Sequence, residues 1–196
     1  MATFLLDNTV FEGNCYRLAD NWFPLVDLEL YKNRPINYLE IGAHYGSNVI
    51  SVANTYGSNE FSRLYAVDPW SDYDEYPEYV GKQKSIYETY KSNIDRAGVS
   101  HKIETIRGYS HKEIQSFPDS FFDIVYVDGN HEKEYVLEDA VLSFRKLKKG
   151  GIIIFDDYGW CDSEDFKIGV DSFLAVNKER TEVLGLLNSQ MIVKKV

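Results

Sequence analysis

Four ionisable residues stand where short apolar runs end. Asp128 and His131 follow the run Phe122–Val127 in FDIVYVDGNHE, and Asp156 and Asp157 follow Ile152–Phe155 in GIIIFDDY. If both runs are neighbouring strands of a parallel sheet, about 4.8 Å apart, the carboxylates Asp128, Asp156 and Asp157 converge at one edge. Converging carboxylates repel unless a positive charge sits among them. Oxygen donors with room for water suit Mg²⁺ or Mn²⁺ better than zinc, so these three are the candidate metal ligands. The plainer alternative is that Asp156 and Asp157 cap a turn and face water. His131 follows Asp128 by three residues at a probable helix start. Its ordinary pKa lies near working pH, which makes it the candidate general base; a capping role is the alternative. Asn130 takes no proton and reads as a turn residue or a hydrogen-bonding partner of a substrate.

A second group surrounds a glycine loop. The run NYLEI (Asn37–Ile41) leads into Gly42-Ala43-His44-Tyr45-Gly46-Ser47. Gly42 permits a sharp turn and close backbone approach, and Gly46 lets the next helix pack tightly. A dinucleotide fingerprint needs glycines, or a near substitute at the last site, at 42, 44 and 47; His44 and Ser47 argue against one. Glu40, before the first glycine, suits a cationic ligand. Asp68, in Asp68-Pro69-Trp70 at the end of the next apolar run, can accept hydrogen bonds from ribose hydroxyls. After a third run, Gly108-Tyr109-Ser110 forms a short polar loop. Ser110 reads equally as a ligand contact or as a helix N-cap.

These residues need elements to hold them. Strand candidates are Asn37–Ile41, Arg63–Val67, Lys102–Ile106, Phe121–Val127 and Gly151–Phe155. The last two hold continuous apolar stretches, as strands covered on both faces require. Helical stripes lie between them: Val49, Val52, Ala53 and Tyr56; Ile86, Tyr90, Ile94 and Ala97; Leu137, Ala140, Val141 and Phe144. Gly57, Gly98 and Gly150 read as stops. Such alternation predicts an α/β fold with a parallel sheet and helices on both faces. After a helix around Phe166–Val176, only Asn188 and Ser189 separate Thr181–Leu187 from Gln190–Lys195. So short a connection forces an antiparallel hairpin. The expectation is a seven-stranded, mostly parallel sheet with a reversed strand near one edge. Residues 1–34 read as a helical cap over the cofactor side or rim, on a core of 35–196, within one domain.

The chain has 196 residues and a formal net charge of −10. An acidic chain lacks the electrostatic footprint for duplex DNA or anionic lipid. Two cysteines, Cys15 and Cys161, make no disulfide framework. The start, with its short apolar run Phe4–Leu6 and no basic region, does not read as a secretory signal, and no run approaches a membrane span. A cytoplasmic protein with a small-molecule partner is expected, with a homo-oligomer left open. Trp70, Tyr73, Tyr76 and Tyr79 lie among Asp72, Asp74, Glu75 and Glu78. Aromatic faces beside carboxylates suit sugar rings, although Tyr87 and Tyr90 read better as core. His44, Asn130, Tyr158 and Trp160 are the candidate acceptor contacts.

Between about Asn37 and Tyr158 the chain resembles the class I S-adenosylmethionine-dependent methyltransferases. EIGAHYGSN resembles the E-x-G-x-x-x-G loop of the small-molecule O-methyltransferases, and AVDPW resembles their acidic second motif. The pairing of FDIVYVDGNHE with LKKGGIIIFDDY is the most specific part. It resembles the metal-dependent sugar O-methyltransferases, and more distantly the catechol-type enzymes. The resemblance implies a Rossmann-like sheet, S-adenosyl-L-methionine and Mg²⁺ (or Mn²⁺). It implies cofactor contacts from Glu40, Gly42, Asp68 and Ser110, with Ala43, His44, Gly46, Ser47, Pro69, Trp70, Tyr109 and Asp128 adjoining, and metal binding by Asp128, Asp156 and Asp157. His131 stands where catechol-type enzymes have a lysine base, and Asn130 where several sugar enzymes have an acid. A phenolic acceptor and a non-catalytic binding module are the alternatives. Gly129-Asn130-His131-Glu132 also matches a metallophosphoesterase element, but the companion motifs of those enzymes are missing.

Overall fold

A computed structural model describes residues 11–13, 19–73, 75–159 and 164–196. Phe4–Leu6, Cys15, Asp74, Trp160 and Cys161 lie outside the described residues. The strands are β1 (Asn37–Ile41), β2 (Arg63–Asp68), β3 (Ile103–Arg107), β4 (Phe122–Val127), β5 (Leu147–Phe155), β6 (Thr181–Leu187) and β7 (Gln190–Lys195). They form one sheet in the order β3-β2-β1-β4-β5-β7-β6. The first five strands pair in parallel, and β7 is antiparallel to both β5 and β6. The reversal is made at Asn188 and Ser189, with φ of 49° and 64°. Two consecutive positive φ values match the twist of the strands they join. Strand order reverses between β1 and β4. In open α/β sheets the ligand crevice lies there, beyond the carboxyl ends of the strands.

The helices are α1 (Glu29–Lys32), α2 (Ser47–Asn54), α3 (Gln83–Arg96), α4 (Ser110–Glu113), α5 (Lys133–Lys146) and α6 (Glu164–Val176). One core cluster joins α2 and α3 to Tyr38, Ile124, Tyr126, Ile152 and Ile154 of the sheet. The other joins α5 and α6 to Leu39, Val125, Val127, Ile153 and Phe155. Alternate residues of each central strand thus feed opposite cores, and all six residues of β4 are buried. One boundary differs from expectation. Gly150 does not stop a helix; it lies inside β5 at φ 79°. The strand starts early because Leu147 pairs with Phe122 across a register shift.

Among the described residues before β1 are a 3-10 turn, Ala19–Trp22, and the single-turn α1. Their anchor is Trp22, fully buried, with ring centroids 5.6 Å from both Tyr56 and Tyr126. Its indole N–H donates to Gln190 Oε1 at 2.9 Å, and Gln190 Nε2 donates to the Tyr126 hydroxyl at 3.1 Å. Trp22→Ala removes a buried ring and orphans Gln190. We expect it to cost about 3–5 kcal/mol in urea unfolding; a loss under about 1 kcal/mol would contradict this packing.

Candidate functional site

The glycine loop is built by close packing of two strand ends. Gly42 has φ 85°, and a Cβ there would lie 1.8 Å from the backbone oxygen of Asp128. The close approach expected of Gly42 is therefore made to the end of β4, and it fixes Asp128 beside the loop. Asp128 N–H in turn donates to Ile41 O at 2.9 Å. Gly46, at φ 86°, opens α2; a Cβ there would meet the Tyr90 ring of α3 at 2.9 Å. Ser47 is the first residue of α2.

Glu40 lies beneath this loop, 1% exposed. Its Oε2 accepts from the Tyr38 hydroxyl at 2.6 Å and from Asn48 Nδ2 at 3.0 Å. Burial pushes its pKa up, to about 8; Asp128 adds to the rise, and the bonds from Tyr38, Asn48 and the Val49 backbone oppose it. Asp68 ties the two loops together. Its Oδ2 accepts from His44 N–H at 2.9 Å and its Oδ1 from Trp70 N–H at 2.7 Å, and Ala43 N–H is a further donor. Burial raises the Asp68 pKa against these bonds. Pro69 is half-buried beside it.

Trp70 is 1% exposed, packs 4.8 Å from both Tyr87 and Tyr90, and donates its indole N–H to His44 O at 3.0 Å. Tyr87 and Tyr90 are core residues, as expected, and Trp70 joins them. His44 Nε2 is buried without a partner among the described residues, and burial holds its pKa down at about 4. Its ring lies between Tyr45 and Tyr79, at 4.2 and 5.0 Å. Tyr109 is half-exposed, with its hydroxyl 3.1 Å from Ser71 Oγ across the mouth. Ser110 makes no side-chain cap; it is the first residue of α4, and its side chain bonds buried Asp139.

The acidic cluster forms with one change of membership. Ligand atoms of Asp128, His131 and Asp157 lie within 4.8 Å of one another. His131 Nε2 is 3.6 Å from Asp128 Oδ1 and 3.4 Å from Asp157 Oδ2. Asp157 reaches in because its backbone turns at φ 51°. Asp156 is 4% exposed and accepts at Oδ2 from the Tyr126 hydroxyl at 2.6 Å. Its charge still acts on Asp128, but the third close donor is the imidazole. The two carboxylates are oxygen donors that fit a divalent cation, with the imidazole beside them.

The other face of His131 is held by residues the sequence did not single out for that role. Glu75 Oε1 is 2.9 Å from His131 Nδ1, and Glu75 Oε2 accepts the His131 backbone N–H at 3.2 Å. The Tyr76 hydroxyl is 3.0 Å from the same Nδ1. Burial lowers the His131 pKa, but the bonds and charges of Asp128 and Glu75 outweigh it and carry the pKa to about 10. The ring therefore holds a proton more tightly than a free imidazole does, and in that form it places positive charge between the carboxylates. Glu75 is pulled below the usual carboxylate range: burial raises it, and the bonds from His131 and Tyr76 overcome this.

The remaining candidates turn elsewhere. Asn130 Oδ1 accepts from Glu132 N–H at 2.8 Å, closing an Asx turn. The Tyr158 hydroxyl donates to Asp171 of α6 at 2.8 Å. Trp160 lies outside the described residues.

Two buried carboxylates set a pH dependence of stability. Burial raises Glu40 to about 8 and Asp139 to about 7. Both bind their proton more tightly folded than unfolded, so their contribution is fully present below the ordinary carboxylate pKa and is lost as pH rises through these values. Glu40→Gln is expected to flatten the decline in thermal midpoint between pH 5 and 8.5. A midpoint for the unsubstituted chain that rises across this range would refute the assignment.

A model described as a methyltransferase domain matches residues 39–158. An uncharacterized protein of Acanthamoeba polyphaga mimivirus is 27% identical over 154 residues, 76% of this chain and 61% of that protein. A Dictyostelium discoideum protein named probable caffeoyl-CoA O-methyltransferase 3 is 25% identical over 154 residues, 76% of this chain and 55% of its own. This chain therefore spans less than two thirds of either relative. The solved structure of the O-methyltransferase NovP superposes with a TM-score of 0.69 at 17% identity, over 90% of this chain and 78% of that one, which speaks for the fold. With more than half of its length matched by the family model, and with the strand order given above, the chain belongs to the methyltransferase-domain family as a class I S-adenosylmethionine-dependent methyltransferase.

Proposed function

We propose that this protein transfers a methyl group from S-adenosylmethionine to a hydroxyl oxygen of a small molecule, a sugar or glycan, with help from a divalent cation. The observation that carries this reading is the meeting of Asp128, His131 and Asp157 at the ends of β4 and β5, beside the glycine loop. A cationic donor fits the crevice because the carboxyl groups of Glu40, Asp68 and Asp128 gather at its floor, and a positive charge beside them favours their ionised forms against the burial that raises their pKa values.

When bound, the sulfonium donor supplies an activated methyl group, and a divalent cation acidifies and orients an acceptor hydroxyl. Asp128 and Asp157 are the side chains to hold that cation. His131 presents Nε2 to the same place, and Glu75 fixes the ring through Nδ1. Nε2 is then the atom to receive the hydroxyl proton as the C–O bond forms. His131 acts as a base only after giving up the proton it holds beside Asp128 and Asp157, and a divalent cation held by those two carboxylates would lower its affinity for that proton. Asp68 holds the two loops at the spacing a nucleoside needs, and alignment of the reacting atoms lowers the barrier further.

Glu75, Tyr76 and Tyr79 stand at this corner. Tyr76 reaches His131, and Tyr79 packs on His44, so acceptor recognition belongs to this segment. A phenolic acceptor is the second reading, favoured by the name of the Dictyostelium relative. Among the described residues no helix is long and apolar enough to cross a membrane. The test is a panel of glycosides and catechols with labelled methyl donor, with and without EDTA. Transfer to a glycoside that EDTA abolishes and Mg²⁺ restores supports the proposal. Donor binding without transfer to any acceptor makes the chain a binding module.

A further inference from the structure

A cavity of about 310 Å³ opens at the amino-terminal ends of β4, β5 and β6. That is the opposite edge of the sheet from the crevice, roughly 20 Å away along a six-residue strand. Its walls include Arg145, Arg180 and Lys195, with Phe144 and Val141 as the apolar side. The concentration of positive charge is unexpected in a chain whose net charge is −10. The acid on the rim, Asp119, is already engaged by Lys146 Nζ at 2.8 Å. Among the described residues, no carboxylate forms an ion pair with Arg145, Arg180 or Lys195.

A neighbouring cavity shows how the fold neutralises such a place when it does so itself. About 300 Å³ in volume, it is lined by Arg34, Lys148 and Lys149 around Asp123. There Asp123, almost fully buried, takes Arg34 at 2.8 Å and Lys148 at 2.8 Å on its two oxygens. Among the described residues, the first cavity has one lining acid, Asp119, which is paired with Lys146 and acts by its charge on Arg145 and Lys195 without an ion pair to either.

Two of its cations, Lys195 and Arg180, are also held in place. Lys195 Nζ donates to Phe144 O at 2.7 Å and Leu147 O at 2.6 Å, at the carbonyl end of α5. That accounts for two of its three donors, and a helix carboxyl end favours a cation. Lys195 Nζ lies 4.7 Å and the Arg180 guanidinium carbon 4.9 Å from the centroid of the Phe144 ring. Arg180 also donates to Asn177 Oδ1 at 3.3 Å. Burial and the charge of Arg180 both lower the Lys195 pKa, so the two cations crowd one another. The carbonyl end of α5 explains Lys195 but not the two arginines. Guanidinium forks match phosphate oxygens, and a charge-dense anion relieves the crowding. The volume exceeds what a bare phosphate needs, and Phe144 with Val141 offers a surface for an attached organic group.

We propose that this cavity binds a phosphate monoester, with Arg145, Arg180 and Lys195 around the phosphate. The site is distinct from the methyl-transfer crevice and stands whether or not the acceptor reading is right. The experiment is calorimetric titration of the full chain, at low ionic strength, with inorganic phosphate and with glycerol 3-phosphate. We expect one saturable site per chain with a Kd of about 0.1–1 mM for the ester, weaker for inorganic phosphate. The double substitution Arg145→Gln/Arg180→Gln should weaken it at least about tenfold, and Lys148→Gln, in the other cavity, should leave it unchanged. Arg180→Gln alone serves if the double variant does not fold. No saturable heat for either ligand, equal binding by the arginine variants, or equal loss in Lys148→Gln would overturn the proposal.

Discussion

His131→Ala is expected to lower methyl transfer by about 10²–10⁴-fold while donor affinity stays within about threefold, because general-base assistance acts on the acceptor proton. The imidazole faces Asp128 and Asp157 through one nitrogen and Glu75 through the other. Removing it also removes a positive charge from between the carboxylates, so the residual activity should need less divalent cation. The measurements are single-turnover transfer of labelled methyl and calorimetry with S-adenosylhomocysteine. Equal turnover by both proteins across pH 6 to 9 would eliminate the base role.

Gly42→Ala should be the most damaging single-methyl change in the chain. The added Cβ would stand 1.8 Å from the Asp128 carbonyl oxygen, and φ is +85°. The left-handed backbone alone costs about 1–2 kcal/mol for a non-glycine residue. The clash is with backbone of a buried central strand end and has nowhere to relax. A loss of more than about 3 kcal/mol, or failure to fold, is expected. Gly98→Ala is the control: φ is +70°, but no atom lies within 4 Å of its Cβ position, so it should show the backbone cost alone. Similar unfolding midpoints for the two variants would refute the packing described for the loop.

The sheet was legible because its determinants are local. The apolar runs of β4 and β5 require cover on both faces, and the two-residue link at Asn188–Ser189 allows only a hairpin. The expected bounds of β1, β6 and β7 agree with those observed. Gly150 misled because a glycine after a basic helix end marks a stop only if the chain leaves its course, and here β5 has already begun. The crevice was legible in residue type but less so in partnership. Asp128 and Asp157 lie where the strand ends put them. That Asp156 accepts from Tyr126, while His131 joins Asp128 and Asp157, depends on a positive φ at Asp157 that no pattern of side chains announces. Glu75 and Tyr76 stand out in composition, but their contact with His131 spans more than 50 residues of chain. Trp70 reads as a ligand platform from its place after Asp68, yet its indole is spent on His44 O and the α3 tyrosines.

The buried bonds from Trp22 through Gln190 and Tyr126 to Asp156 have a direction. An indole nitrogen donates and never accepts, so it orients the Gln190 amide with its oxygen toward Trp22 and its nitrogen toward Tyr126. The phenol oxygen receives that nitrogen's hydrogen and has its own left to give to Asp156 Oδ2. A tryptophan ahead of the first strand thereby dictates, at the far end of a one-way relay, that this carboxylate oxygen must stay bare of a proton.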